Sequence, residues 1–544
     1  MSPAAPQPPT SKPWWAWRHP LFGRPPLLHP FLAPLPSLLS YTHDNHGMAT
    51  WRLALFPLAL TWLATIPLLL LLSGLSRNPR TAAVATTLIV VAFHAHGDAG
   101  KHAPWMWGIV SVATLGLILY RGAGDALTIF ANLLLGIGVL PTLWTTIADD
   151  RADPAPHVRP GYLTSLDLAA TVPPPNRATL PDIWYFVLDG YGREDVLESD
   201  FGVTNSGLAD DLRARGFYVA TGARSNYAQT ALSIASSFNM APLPELLDDL
   251  AVDSENRLPL QRLIADNRLT RRLRQAGYRI VQYPGEYSMT RLADADENRG
   301  AWFTFNEYDY VLLGHTPILT VASALGFPQQ RLSHAVRRHA IETVLDDLPQ
   351  GDRDPGPTFV YVHIVAPHPP FVFAEDGRYR RSRSRMFFGD GSTWWKYAKK
   401  YKESYEEGYR AQLTYISRRM TEAVDGILAT SDRPPVILIQ GDHGPGSHLV
   451  WAEPDQTDMH ERMGILSAYL VPDPSALWPT ITPVNSFRVV LNQVLGTEIP
   501  RAEDRSWFSG FSTPYDLRDE TARLAAGGRP IAAEAAEAEG EEGP

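Results

Sequence analysis

Three short segments of this chain end in side chains that could handle a metal ion or a phosphate ester. The first, IWYFVLDGYGR, runs apolar residues into Asp189 and then Gly190. The second, VILIQGDHGPGS, ends an apolar run in Gly441, Asp442, His443 and Gly444. A carboxylate and an imidazole adjacent on a glycine-bordered turn can both reach one divalent cation. The third, SNYAQTALSIASSFNM at 225–240, puts Thr230 near the start of a helical pattern. That end of a helix carries free N–H groups and partial positive charge, so a hydroxyl beside a cation there could serve as an alkoxide nucleophile. Each segment also has a plainer reading. A strand-terminal Asp often caps the next helix, and a Thr at a helix start is an ordinary N-cap. Arg193, Arg224 and Asn226 flank these segments. They could bind a phosphate or lipid head group, or be solvated surface.

Such residues need rigid elements behind them. IWYFVL at 183–188, FVYVHIV at 359–365 and VILIQ at 436–440 are rich in β-branched and aromatic residues and bounded by Gly, Pro or Asp, as buried strands are. Helical patterns lie between them, at 206–215, 257–276, 331–348 and 408–430. Strands alternating with helices predict an α/β domain with a central, mostly parallel sheet. Ligands then bind beyond the carboxyl ends of the strands.

The chain has 544 residues, and its charge is unevenly spread. Residues 1–150 hold only 8 of the 48 Lys/Arg, together with 5 Asp and no Glu, whereas the remainder is acidic. This predicts a membrane module followed by a water-exposed domain. Apolar stretches run over 53–75, 81–97, 105–120 and 125–147, with a proline-rich fifth at 26–41 that predicts a kinked helix. With five spans, Lys12, Arg18, Arg24, Arg77, Arg80 and Arg121 share one side, which places the N-terminus inside and residues 148–544 outside. His94, His96 and His102 read as interfacial polar residues rather than a metal site. The expected organisation is a cytoplasmic N-terminus (1–25), a membrane module of about five helices (26–148), a linker (149–180), a catalytic domain (181–500) and a C-terminal extension (501–544) with a disordered acidic tail. A stretch at 378–402, dense in Arg and Lys and containing Trp394 and Trp395, suits anionic head groups or a solvated loop. The net charge of −10 argues against nucleic-acid binding. The absence of Cys excludes disulfides, iron–sulfur clusters, thiolate zinc sites and a Cys nucleophile.

Together these residues resemble the alkaline phosphatase superfamily, in its sulfatase-like, membrane-anchored branch of lipoteichoic acid synthases and phosphoethanolamine transferases. The resemblance covers residues 180–500, and GDHG is its most specific piece. It implies that Asp189, Thr230, Asp442 and His443 hold one divalent metal, manganese or zinc, with Thr230 also the nucleophile. It implies that His363 and His368, in VHIVAPHPPFVF, and His460, in TDMHERMGILSAYLVPD, contact the transferred group or protonate the leaving oxygen. Arg193 and Asn226 are candidates for substrate binding. The sequence departs from the pattern in two ways. Position 189 is Asp, where the lipoteichoic acid synthase branch usually has Glu, and the Asp-x-x-x-His of a second metal site is missing. There is also no C/S-x-P-x-R motif for formylglycine. The implied function is a membrane-anchored enzyme of the bacterial cytoplasmic membrane, with its catalytic domain extracytoplasmic. It would transfer or hydrolyse a phosphate ester from a lipid or glycan substrate through a phospho-threonine. Phosphodiesterase action, sulfuric-ester hydrolysis without formylglycine, and a catalytically decayed membrane sensor are the alternatives.

Overall fold

The computed structural model describes residues 25–44, 51–120, 125–152, 157–163, 179–203, 208–301, 306–327, 329–352, 356–381, 390–391 and 399–531. Residues 153–156 and 164–178 of the expected linker (149–180), the acidic tail from 532 and most of the basic stretch (382–389 and 392–398, with Trp394 and Trp395) lie outside the described residues. The chain forms two compact units. One comprises residues 1–152 with 311–326, and the other residues 153–310 with 327–544.

In the first unit, Leu55–Ser76, His96–Leu119 and Asp125–Thr145 are long and apolar enough to cross a membrane. Their large side chains point outward, with Leu63, Leu70, Val112 and Leu134 all more than half exposed. Such a surface suits hydrocarbon, not water. The expected 81–97 span is the shorter helix Pro79–His94. Pro79 starts it and the Asn78 side chain caps it by accepting from the amides of Arg80 and Thr81. Small residues from Thr81 to Thr87 are buried on it, which lets neighbouring helices approach closely. The proline-rich stretch forms two short helices, His29–Leu32 and Leu35–Asp44. His94 is buried and bonds Thr61, whereas His96 accepts from the indole of Trp107.

The second unit is built on a seven-stranded sheet. Its strands are β1 (Ile183–Leu188), β2 (Tyr218–Val219), β3 (Arg279–Tyr283), β4 (Glu297–Asn298), β5 (Thr358–Ile364), β6 (Val436–Gln440) and β7 (Ser467–Leu470). The order is β2-β7-β6-β1-β5-β3-β4. From β6 to β4 all pairs are parallel; β7 and β2 complete one edge antiparallel. The three strands read from sequence are the three central ones, and every residue of β1, β5 and β6 is buried. Burial on both faces explains their unbroken apolar runs.

Alternation along these strands sorts the side chains onto two faces. Ile183, Tyr185, Phe359, Tyr361, Val436 and Leu438 pack on one face with the helix Thr230–Asn239. Trp184, Phe186, Val360, Val362, Ile437 and Ile439 pack on the other with the helix Lys399–Thr430. The helical pattern at 257–276 is broken into Leu258–Ala265 and Arg268–Gln275, the second capped by the Asn267 side chain. The expected domain end at 500 is moved outward. Residues beyond it form β8 (Trp507–Phe508) and β9 (Arg518–Asp519), Tyr515 is fully buried, and Trp507 stacks on Tyr227.

Candidate metal centre

Strand register delivers the first two carboxylates. Val187 of β1 pairs with Gln440 of β6, and two residues further along each parallel chain come Asp189 and Asp442. The same Val187 pairs with His363 on β5. All three functional side chains therefore belong to the face that the Thr230 helix covers. Gly190, at φ 75°, turns the chain at the strand end, where its amide donates to Asp442 Oδ1 at 3.1 Å.

One ligand atom each from Asp189, Asp442 and His443 lies within 4.8 Å of the others, and all three residues are buried. His443 Nε2 stands 3.5 Å from Asp189 Oδ1 and 3.3 Å from Asp442 Oδ2. Its Nδ1 donates to the Gly444 carbonyl at 2.9 Å, so Nε2 carries the lone pair. Burial first, then Arg462 and His368, holds His443 well below its ordinary range and therefore neutral. Asp189 is pushed up to about 7, first by burial and then by the Asp442 carboxylate. Asp189 Oδ1 and Asp442 Oδ2 are buried with no hydrogen-bond partner. Two adjacent buried carboxylates with orphan oxygens and a neutral imidazole are a donor set that fits a cation. Two carboxylate oxygens with one imidazole nitrogen suit a divalent cation.

Thr230 is the first residue of its helix, and Gln229 occupies the cap position without a capping side-chain bond. Gln229 is held instead by Ser509, Gly510 and Arg257. The Thr230 hydroxyl, half-buried, lies 3.2 Å from His443 Nε2. It therefore faces the ligand set at a positive helix end rather than capping its own helix.

The three other histidines divide. The Thr290 hydroxyl donates to the Tyr287 carbonyl, so His363 Nδ1 donates to Thr290 Oγ1 at 2.9 Å. His363 Nε2 then presents its lone pair to Asp189 Oδ2 at 3.4 Å, and burial lowers this histidine to about 4. His368 receives its place from the Asp189 carbonyl, which accepts its amide at 3.0 Å. Its Nδ1 donates to the Pro369 carbonyl, and its ring centre lies 6.2 Å from that of His443. His460 bonds Asp195 at 2.9 Å and Arg193 at 3.4 Å, and neither partner is a metal-ligand candidate. Burial alone would raise Asp195, but bonds from His460 and Arg193 hold it well below the usual carboxylate range.

Two expected substrate-binding residues have structural partners. Arg193 grips both oxygens of Asp195, at 2.6 and 2.8 Å, and donates to the Ala223 carbonyl. Asn226 is 1% exposed, donates to the Arg505 carbonyl and accepts from the Val484 amide. Both hold loops, because their polar groups are consumed by protein partners.

Sequence reading passed over Arg462. It is 2% exposed and paired with Asp390 at 2.8 Å. The same guanidinium donates to the carbonyls of Ala228 and Gly444, tying the loop before Thr230 to the loop carrying His443. Its signal was an Arg between Met459, Met463 and an apolar strand, where a solvated cation is out of place.

No protein-family model matches the chain, and no curated protein sequence does. Solved structures do resemble it. The C-terminal periplasmic domain of EcEptC from Escherichia coli, in complex with Zn, is 12% identical, covers 64% of this chain and 94% of its own, and has a TM-score of 0.40. The integral membrane lipooligosaccharide phosphoethanolamine transferase A from Neisseria meningitidis is 12% identical over 90% of this chain and 97% of its own, with a TM-score of 0.38. A 2-O GAG sulfatase is 11% identical over 60% of this chain and 77% of its own, with a TM-score of 0.36. The chemistry rests on the residues described above.

Proposed function

We propose that this chain is a membrane-anchored, metal-dependent enzyme that transfers or hydrolyses a phosphate-ester group through Thr230. The observation that carries this reading is the Thr230 hydroxyl at a helix N-terminus, 3.2 Å from the nitrogen of a buried Asp189–Asp442–His443 ligand set. One divalent cation, manganese or zinc, would be held by Asp189, Asp442, His443 and Thr230. When bound it supplies positive charge that favours the alkoxide and offsets charge on the transferring oxygens.

Thr230 Oγ forms the bond to phosphorus, and the bond from phosphorus to the leaving oxygen breaks. The hydroxyl proton passes to solvent, because His443 presents its only lone pair to the ligand set. His368 is the choice for protonating the leaving oxygen: as the imidazolium it keeps Nδ1–H on the Pro369 carbonyl and gives up the proton on Nε2. His363 packs behind Asp189 and shields it from water without a hydrogen bond to the ionised carboxylate, and His460 orders Asp195. A hydroxyl acceptor or water then resolves the phospho-threonine. An enzyme joined to a membrane module suits a lipid-borne donor, such as phosphatidylglycerol or phosphatidylethanolamine, and a lipid or glycan acceptor. The distribution of basic residues supports placing the catalytic unit on the extracytoplasmic side of a bacterial cytoplasmic membrane.

The test is intact mass of the detergent-purified chain, quenched in acid after incubation with manganese or zinc and bacterial lipid extract. A mass increment is expected on the wild type and not on Thr230→Ala, and its size names the transferred group. An increment that survives Thr230→Ala overturns the assignment.

A further inference from the structure

Residues 311–326, VLLGHTPILTVASALG, contain no Asp, Glu, Lys or Arg, in a part of the chain that is otherwise acidic. The residues on both sides belong to the catalytic unit, yet this segment belongs to the membrane unit. It is fastened where one membrane-length helix begins. The Gly97 amide donates to the His315 carbonyl at 2.9 Å. His315 Nδ1 meets Asp98 at 2.8 Å, and His96 Nε2 bonds Thr320 Oγ1 at 3.0 Å. The approach is close enough that a Cβ on Gly97 would stand 2.6 Å from His315 Cα. Residues 96–98 open the span His96–Leu119, so the fastening point is the water–lipid boundary of that helix.

The side chains of His315 and Thr320 are thus used on the span, whereas Val311, Ile318, Val321 and Leu325 are left outside. The helix Ile318–Ala324 has no buried residue. Val321 is 54% and Leu325 71% exposed, with Val311 and Ile318 also exposed. An uncharged apolar surface of this kind does not suit water. At a helix end, the neighbouring phase is the head-group and upper acyl region, which takes apolar side chains to about 5–10 Å depth. The segment is too short for a further span, and both of its flanks return to the catalytic unit.

We propose that residues 311–326 form a re-entrant interfacial element that lies in the lipid head-group region. It is a second attachment of the catalytic chain to the bilayer, independent of the linker that follows the last span. Its occupant is lipid, not a protein partner.

The chain has no Cys, so a single introduced Cys is a unique label site. Val321→Cys and Leu325→Cys, each carrying a polarity-sensitive fluorophore, would be studied in the full chain in phosphatidylethanolamine–phosphatidylglycerol vesicles. Leu115→Cys in the span and Glu375→Cys on the exposed catalytic surface are the references. Brominated lipid is expected to quench both segment labels comparably to Leu115→Cys. Aqueous iodide should quench them about fivefold less than Glu375→Cys. Labels at both positions that respond to iodide as Glu375→Cys does, and ignore brominated lipid, overturn the proposal. Labels protected from both quenchers also overturn it, because a protein partner then covers the face.

Discussion

Replacing Arg462 by Met should weaken the site without touching a ligand. Arg462 Nε and Nη2 donate to the Ala228 carbonyl at 2.9 and 2.7 Å, and Nη1 to the Gly444 carbonyl at 3.2 Å and to Asp390 Oδ2 at 2.8 Å. Ala228 lies two residues before Thr230, and the Gly444 carbonyl also receives His443 Nδ1. One cation therefore spans the nucleophile's loop and the ligand's. Met keeps the apolar stem without the guanidinium and leaves Asp390, 5% exposed, without its partner. Breaking a buried ion pair from one side costs about 3–5 kcal/mol. Asp390 keeps the Tyr405 hydroxyl at 2.9 Å and the Gly391 amide at 2.8 Å, which sets the expected loss near the lower end, about 3 kcal/mol.

That loss corresponds to a melting temperature lower by about 4 °C for the catalytic unit. Adding Asp390→Asn removes the stranded charge, so the double variant should recover about 1–2 kcal/mol relative to Arg462→Met. Manganese affinity should fall about 10–100-fold in Arg462→Met, because the carbonyl that orients His443 is no longer anchored. Thermal unfolding in detergent and titration calorimetry read the two effects. A variant that melts within about 1 °C of wild type and binds manganese as tightly refutes the role given to Arg462.

Further outcomes follow from the same geometry. Manganese binding should release about one proton at pH 6, and affinity should weaken about tenfold per pH unit below about 7 while staying level above it. The reason is that Asp189 is pushed up to about 7 by burial and by Asp442. In the cation-free chain this group lowers stability as pH rises from the ordinary carboxylate range to about 7, because the native state holds a proton the unfolded state has lost. Calorimetry in buffers of different ionisation heat counts the protons, and Asp189→Asn should abolish both binding and release. His363→Ala should weaken manganese binding about tenfold by exposing the back of Asp189. His368→Ala should leave binding intact and slow turnover about 100-fold; equal effects on binding from both would remove the distinction drawn between them.

The legible parts of the fold were those whose patterns are local. β1, β5 and β6 announced themselves as apolar runs closed by Gly, Pro or Asp, and GDHG stood at the end of the last. Thr230 was readable because a helix start is a local composition. What stayed hidden depends on contacts between distant residues. Arg193 and Asn226 looked available because nothing nearby in sequence reveals that Asp195, Ala223, Arg505 and Val484 consume their polar groups. Arg462 was hidden for the converse reason, since its three partners lie far away in the chain. The end of the domain was misplaced at 500 because β8 and β9 are two residues each and carry no periodicity. The apolar segment 311–326 is shorter than a span and contains Pro317, so it did not stand out as a membrane element.

Register explains why these carboxylates meet, and energetics explains what the meeting is for. Val187 and Gln440 are paired on adjacent parallel strands, so residues two beyond each must emerge side by side on the same face. A slip of one residue in either strand would turn that carboxylate to the opposite face of the sheet. Folding thus forces Asp189 and Asp442 together out of water, where burial and mutual repulsion both disfavour their charge. An apolar pair at these positions would relieve that repulsion without disturbing the strands. The arrangement gains only when a cation joins it, because a cation satisfies the orphan oxygens of both carboxylates and the lone pair of His443 together. On the proposed reading the sheet makes a site whose cost an ion offsets, and it aims that site at Thr230, the one hydroxyl of the helix above it that is not buried.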